Sequence, residues 1–306
     1  MISYAGALRN KFWRVHMKIL LVLLLAFSYP IAPEEPKTIF LISTPRSLSS
    51  GFMRMMQERN DFEIFHEPTN APFHIMHDQS YYDETYRTDS FQSYNEILES
   101  ILTENKKSNV FIKDLSFTCH EFLTKENPLL QSAHFAFLVR KPQDVILSLY
   151  QKGLPPSIAQ EVAGYQKFYE LFELVEKHGK YPPYLFFSED LGKNPEKTVA
   201  SFCEHMGIAF KPESLTWKAL GDQFEGEEWH DRKKIEAIQH WHADVIQSTC
   251  FVSLRTAEID SDGVPTFSEI TNPEDRAKCL EIYQRLLPYY VALKEKWEVM
   301  PSESAI

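Results

Sequence analysis

Five short runs rich in β-branched and aromatic residues recur along this chain, at Thr38–Ile42, Phe62–Phe65, Val110–Ile112, Phe135–Val139 and Tyr184–Phe187. Helical patterns alternate with them, at Gly51–Glu58, Phe91–Asn105, Pro142–Gln151, Ile158–His178, Pro195–Met206, Arg232–Thr249 and Pro273–Trp297. Strands separated by helices need crossover connections, and such crossovers build a mainly parallel sheet with helices packed on it. Runs such as "TIFLI" and "FAFLV" are apolar at every position, so both faces of the sheet must be covered. The expected fold is therefore α/β, a three-layer sandwich with a central, mainly parallel sheet and helices on both faces.

No linker-like shift in composition interrupts residues 37–300, which read as one domain followed by a tail at 301–306. Residues 1–36 are different. Arg9, Lys11, Arg14 and Lys18 precede the apolar run "ILLVLLLAFSYPIA" (Ile19–Ala32), a basic flank before a short hydrophobic stretch. It reads as a signal peptide or an anchor, or as a leader that is not used. Membrane association through residues 19–32 and a secretory location follow if the segment is used, and a cytoplasmic one otherwise. The stretch 69–90, "TNAPFHIMHDQSYYDETYRTDS", has no clear period and many aromatics, which suggests a lid or binding loop. Trp217, Trp229, Trp241 and Trp297 are expected in the core.

The net charge of −11 repels polyanions, so nucleic acid is not an expected partner. Any anion site has to be local. Cys119, Cys203, Cys250 and Cys279 are far apart and form no CxxC pair or zinc-ligand spacing, so no metal is expected.

The place for a local anion site is the turn in "KTIFLISTPRSLSSGFMRMM" (Lys37–Met56). A strand ends there and a helix begins, and the unpaired N–H groups of a helix N-terminus attract anions. Serine hydroxyls add donors, and Arg46 adds a guanidinium fork suited to phosphate or sulfate oxygens. A plain helix cap explains one serine but not Arg46 or the density of hydroxyls. The turn is not a Walker A loop, because G-x-x-x-x-G-K-[ST] is absent. A second grip is expected in "VRKPQDVILSLY", where Arg140 ends a strand, Pro142 opens a helix, and Ser148 follows two turns in.

Strand–"TPRSLSSG"–helix followed by strand–"VRKPQDVILSLY" resembles the two cofactor motifs of sulfotransferases that use 3′-phosphoadenosine 5′-phosphosulfate (PAPS). "FHEP" (Phe65–Pro68), "FIKDLSF" (Phe111–Phe117) and the "EDL" stretch within Tyr184–Phe210 are similar to further segments of that family. The closest likeness is to sulfotransferase-like proteins sometimes labelled aminotransferases. The resemblance implies a P-loop-nucleotide-hydrolase-like fold and PAPS as co-substrate. It places Arg46, Ser47, Leu48, Ser49 and Ser50 at the 5′-phosphosulfate, and Arg140 and Ser148 at the 3′-phosphate. Leu48 departs from the pattern, since the family often has Gly there. The family's glycine-rich "RKG" element is also not evident, with Ser248 and Thr249 as weak stand-ins.

Sulfuryl transfer also needs a base for the acceptor's proton. The resemblance favours Glu67 over His66, with Asp114 in reserve and Lys113 neutralising the leaving side. "FEGEEWHDRKK" (Phe224–Lys234) reads as a solvated charge run with no function. The acceptor is a small molecule, glycan or lipid, and Phe73, Tyr81, Tyr82 and Tyr86 suggest an aromatic-lined pocket. Two other readings stand beside this one. One is a kinase-like P-loop enzyme, and the other an inactive binding protein on the same scaffold, for which Leu48 is the argument.

Overall fold

A computed structural model of the chain describes residues 35–77, 87, 90–224 and 233–299. The first half runs β1 (Thr38–Ser43), α1 (Ser49–Glu58), β2 (Glu63–His66), α2 (Asn70–Met76), α3 (Tyr94–Glu104), β3 (Val110–Leu115), α4 (Ser116–Cys119), α5 (Leu129–Ser132) and β4 (Ala133–Val139). Then come α6 (Pro142–Gln151), α7 (Pro156–Ala163), α8 (Tyr165–His178), β5 (Tyr184–Phe187), α9 (Ser188–Lys193), α10 (Pro195–Met206), α11 (Ile235–Gln247) and α12 (Pro273–Val299).

The five strands form one sheet in the order β2-β3-β1-β4-β5, and every neighbouring pair is parallel. Because successive side chains of a strand point to opposite faces, β1 feeds two cores at once. Ile39 and Leu41 pack with Phe52, Met53, Phe111, Leu138 and Phe202 on one face. Phe40 and Ile42 pack with Ile112, Phe135, Phe137, Phe168 and Phe172 on the other. Each fully buried side chain of this size stabilises the fold by roughly 1.5–3 kcal/mol. This is the three-layer α/β arrangement that the alternation predicts.

The central strand also fixes the place of a site. From β1 the chain first builds β2 and β3 on one side and then crosses to β4 and β5 on the other. The connections leaving β1 and β4 therefore diverge at the carboxyl edge of the sheet, which opens a crevice there.

Three expectations change. The helix expected over Ile158–His178 is two helices, because Gly164 between them has φ 66 and cannot continue a right-handed helix. The aperiodic stretch 69–90 contains the short helix α2, and its residues 78–86, 88 and 89 fall outside the described residues. Of the tryptophans expected inside, Trp217 is buried, but Trp297 is 44% exposed and Trp241 lines the cavity described below. Trp229, Tyr81, Tyr82, Tyr86, the leader run Ile19–Ala32 and the 301–306 tail lie outside the described residues. Among the described residues no helix is long and apolar enough to cross a membrane.

Gly164 is the place where a single methyl group is felt. A Cβ there would lie 2.6 Å from Ser116 Oγ and 3.2 Å from the Phe117 backbone nitrogen, on a backbone that side chains resist. Gly164→Ala is expected to cost on the order of 1–3 kcal/mol, read as a lower urea midpoint with an unchanged slope. An unshifted midpoint would show that the α7–α8 joint relaxes freely.

Candidate active site

The turn after β1 is held open by backbone geometry that favours glycine. Arg46 has φ 57 and Leu48 φ 65, and Glu67, after β2, has φ 47. Each such residue costs roughly 1–2 kcal/mol, and the three cluster where β1 and β2 end. Leu48 thus keeps the left-handed backbone that glycine would adopt, and its side chain reaches within 3.6 Å of the point where a Cβ on Gly192 would stand. The Ser47 hydroxyl is buried and donates to the Thr44 carbonyl at 2.6 Å. The Ser47 carbonyl in turn accepts from Ser188 at 2.7 Å, which ties the turn to the end of β5. Ser49, Ser50 and Gly51 form the first turn of α1, whose N–H groups have no partner within the helix.

Arg46 bridges this turn to two helices. Its Nε donates to Ser148 Oγ of α6 at 3.1 Å, one terminal nitrogen donates to the Trp241 carbonyl at 3.0 Å, and the other pairs with Asp244 at 3.0 Å. Arg140, at the end of β4, reaches the same turn. It donates to the Arg46 carbonyl at 2.6 Å and to the Arg255 carbonyl, with Asp144 4.0 Å away. Asp144 also accepts from the Ala257 N–H at 2.7 Å, so the segment around Arg255 is fastened to α6. The predicted residues Arg46, Arg140 and Ser148 therefore meet within one hydrogen-bonded unit.

The second cluster is built on β2 and β3. Glu67 is buried, with one oxygen on Lys113 and the other on Lys233 at 2.7 Å and Asn70 at 2.7 Å. His66 lies 3.6 Å from the first oxygen, and its ring meets that of His242 edge-on at 4.7 Å. Burial alone pushes the Glu67 carboxyl up, but the ammonium groups of Lys113 and Lys233, with the two histidines behind, hold it well below the usual carboxylate range. His66, Glu67 and His242 also bring three metal-type ligand atoms within 4.8 Å of one another. Two ammonium groups already neutralise the carboxylate, so this trio does not suit a cation.

One cavity of about 1230 Å³ joins the two clusters. Arg46 to Gly51, Glu67, Lys113, Arg140 and Ser148 all line it, whereas His66 and Asp114 do not. Glu67 is thus the one of the three candidate bases that faces the space. Lys233, Trp241, His242 and Arg255 line it too, and sequence reasoning missed all four. Lys233 sits in the run read as a solvated charge segment, yet it is buried against Glu67. Ser248 also reaches the cavity, but its hydroxyl is committed to the Val245 carbonyl at 2.9 Å and to the Trp217 indole at 3.2 Å.

Asp114 supports the site from behind. Its carboxylate accepts from Thr69 N at 3.1 Å, Leu115 N at 2.8 Å and Thr118 Oγ1 at 3.1 Å, which orders the turn that carries Glu67. Burial pushes its pKa up to about 6, against the pull of those hydrogen bonds and with the Glu67 charge adding to the rise. A carboxyl with a raised folded pKa is most stabilising when protonated, so its contribution is full below about pH 4 and is lost as pH rises through about 6. The stability advantage of the wild type over Asp114→Asn is therefore expected to shrink by on the order of 2–3 kcal/mol between about pH 4 and pH 7. Urea titrations of both proteins at the two pH values test this, and a constant gap counts against it.

A family model described as a sulfotransferase domain matches residues 37–262. Two curated Arabidopsis thaliana relatives, branched-chain-amino-acid aminotransferase-like proteins 1 and 2, are each 27% identical, over 221 and 179 residues. The matches take in 72% and 58% of this chain but only 37% and 31% of theirs, so the chain spans about a third of the length of these relatives. Among solved structures, the sulfotransferase domain of the Synechococcus PCC 7002 olefin synthase aligns with a TM-score of 0.46 at 16% identity, over 83% of this chain and 96% of that one. A mouse sulfotransferase complexed with PAP aligns with a TM-score of 0.40 at 13% identity, over 86% and 88% of the two chains.

Proposed function

Because the chain belongs to the sulfotransferase domain family, we propose that it transfers a sulfuryl group from PAPS to a hydroxyl or amine of a small-molecule, glycan or lipid acceptor. The observation that carries the reading is the single cavity joining an anion-binding turn to a buried carboxylate–lysine cluster. The donor set at one end suits two phosphate-like groups: the first turn of α1, the Arg46 guanidinium, Ser148, and Arg255 at the rim. Bound there, PAPS supplies an activated sulfuryl group whose leaving side is a phosphate.

In this reading the acceptor oxygen or nitrogen bonds to sulfur as the bond from sulfur to the bridging oxygen breaks. The acceptor's proton goes to Glu67, and the electron pair stays on the departing bisphosphate. Transfer of this kind is loose, so positioning and charge stabilisation dominate. Arg46 is placed to offset charge growing on the bridging oxygen. Lys113 and Lys233 make Glu67 a weak base while both hold it. A lysine that turns from Glu67 to the sulfuryl oxygens both neutralises them and restores the basicity of the carboxylate. Asp114, behind the loop, positions Glu67 and takes no proton from the acceptor.

Two measurements test the proposal. Adenosine 3′,5′-bisphosphate is expected to raise the melting temperature without Mg²⁺, and labelled sulfate is expected to move from PAPS to an acceptor. Stabilisation by Mg-ATP in place of the bisphosphate would point to the kinase-like alternative. Binding of the bisphosphate with no transfer to any acceptor would leave a binding protein.

A further inference from the structure

Resting on the sulfotransferase reading, we infer that Asp244 is an internal competitor of the nucleotide: its carboxylate holds the Arg46 guanidinium until a phosphate displaces it. In a cavity that would take an anionic nucleotide, a carboxylate of the chain sits on an arginine of the anion-binding turn. All three nitrogens of Arg46 donate within the protein, Nε to Ser148, Nη1 to the Trp241 carbonyl and Nη2 to Asp244. A guanidinium grips a phosphate through two neighbouring nitrogens, so either two-pronged edge has to displace or share one of these partners. The three differ in what they tolerate. Ser148 accepts from Arg46 and keeps its own hydroxyl proton to offer a phosphate. The Trp241 carbonyl is neutral and belongs to the backbone of α11. Asp244 bears the same sign of charge as the phosphate, so it is the partner that an arriving anion repels.

Asp244 is also the partner able to leave. Its side chain is 67% exposed, so water solvates the carboxylate once Arg46 is taken from it. Lys152 stands 4.0 Å from the same oxygen, with its ammonium donating to the His240 carbonyl at 2.9 Å, and offers a second cation nearby. Asp144, which also lines the cavity, has no such freedom. It is buried beside Arg140 and fastened to the Ala257 N–H. An ion pair with one partner this exposed is weak, so the competition adjusts nucleotide affinity without closing the site. It also favours ligands that bring more than one anionic group. A ligand with a single carboxylate replaces like with like at Arg46, whereas a nucleotide phosphate also meets the N–H groups at the start of α1.

The test is calorimetric titration of the full chain with adenosine 3′,5′-bisphosphate at neutral pH, for the wild type, Asp244→Asn and Asp244→Glu. The Asn variant is expected to bind about three- to tenfold more tightly than the wild type, and the Glu variant to stay within about twofold of it. In an Arg46→Ala background the change from Asp244 to Asn is expected to shift affinity less than about twofold, because the contested group is gone. Affinity in Asp244→Asn that is equal to or below that of the wild type overturns the inference, and the carboxylate then only fastens α11 to the turn. A gain as large in the Glu variant, or as large without Arg46, overturns it as well. The first would mean that charge is not the cause, and the second that Asp244 acts as a distant like charge. Failure of the bisphosphate to bind any of these proteins strikes the sulfotransferase reading and this inference with it, whereas binding without the gain strikes the inference alone.

Discussion

Glu67→Gln is expected to lower sulfate transfer by about 10²–10⁴ and, independently, to cost about 3–5 kcal/mol of folding stability. The two losses have different origins. Transfer falls because an amide cannot take the acceptor's proton. Stability falls because Lys113 and Lys233 keep their charge inside the protein and lose the carboxylate they share. Adding Lys233→Met to Glu67→Gln removes one of those charges and is expected to return part of the stability and none of the transfer. Bisphosphate binding should stay close to wild type in every variant that folds, since the contacts of Glu67 are with Lys113, Lys233, Asn70 and His66 rather than with the turn after β1. Substantial turnover by a folded Glu67→Gln protein would show that the proton leaves by another route.

The sheet was readable because its signal is local. A parallel strand buried on both faces must be apolar at nearly every position, and β1 and β4 show that in six or seven letters. The turn "TPRSLSS" was readable for a related reason, since a strand end, a cluster of hydroxyls and an arginine are adjacent in sequence. Lys233 was not. It stands beside Lys234 in a run of acids and bases, the pattern of a solvated surface, yet it is buried and paired with Glu67 across 166 positions. Lysine is rarely buried unless paired, so nothing short of the fold could separate Lys233 from its neighbour. The break at Gly164 was hidden as well. Apolar spacing carries on through it, and the positive φ that ends α7 answers to Ser116 and Phe117, far away in sequence. The helix α2 escaped notice because seven residues make too little periodicity to rise above the aromatics around it.

Arg46→Ala and Arg140→Ala are expected to weaken bisphosphate binding alike but to differ in what they do to the fold. Arg46→Ala removes a charged donor from the turn after β1 and Arg140→Ala the guanidinium that holds that turn from the end of β4, and a charged hydrogen bond is worth roughly 1.5–3 kcal/mol, or about 10- to 100-fold in affinity. The Arg46 side chain is 21% exposed, and its partner Asp244 is 67% exposed, so losing the pair changes stability little. Arg140 is only 4% exposed and serves the carbonyls of Arg46 and Arg255 at once. Its removal strands both carbonyls and leaves the buried Asp144 without its countercharge, at a cost of about 3 kcal/mol or more. Arg140→Lys is expected to recover little, because one ammonium cannot span two carbonyls that a planar fork reaches together. Calorimetric titration with the bisphosphate, set beside urea melts of the same proteins, separates the two effects. Full binding by Arg46→Ala would mean that this guanidinium serves only to hold α11 to the turn through Trp241 and Asp244, and the phosphates would then fall to the first turn of α1.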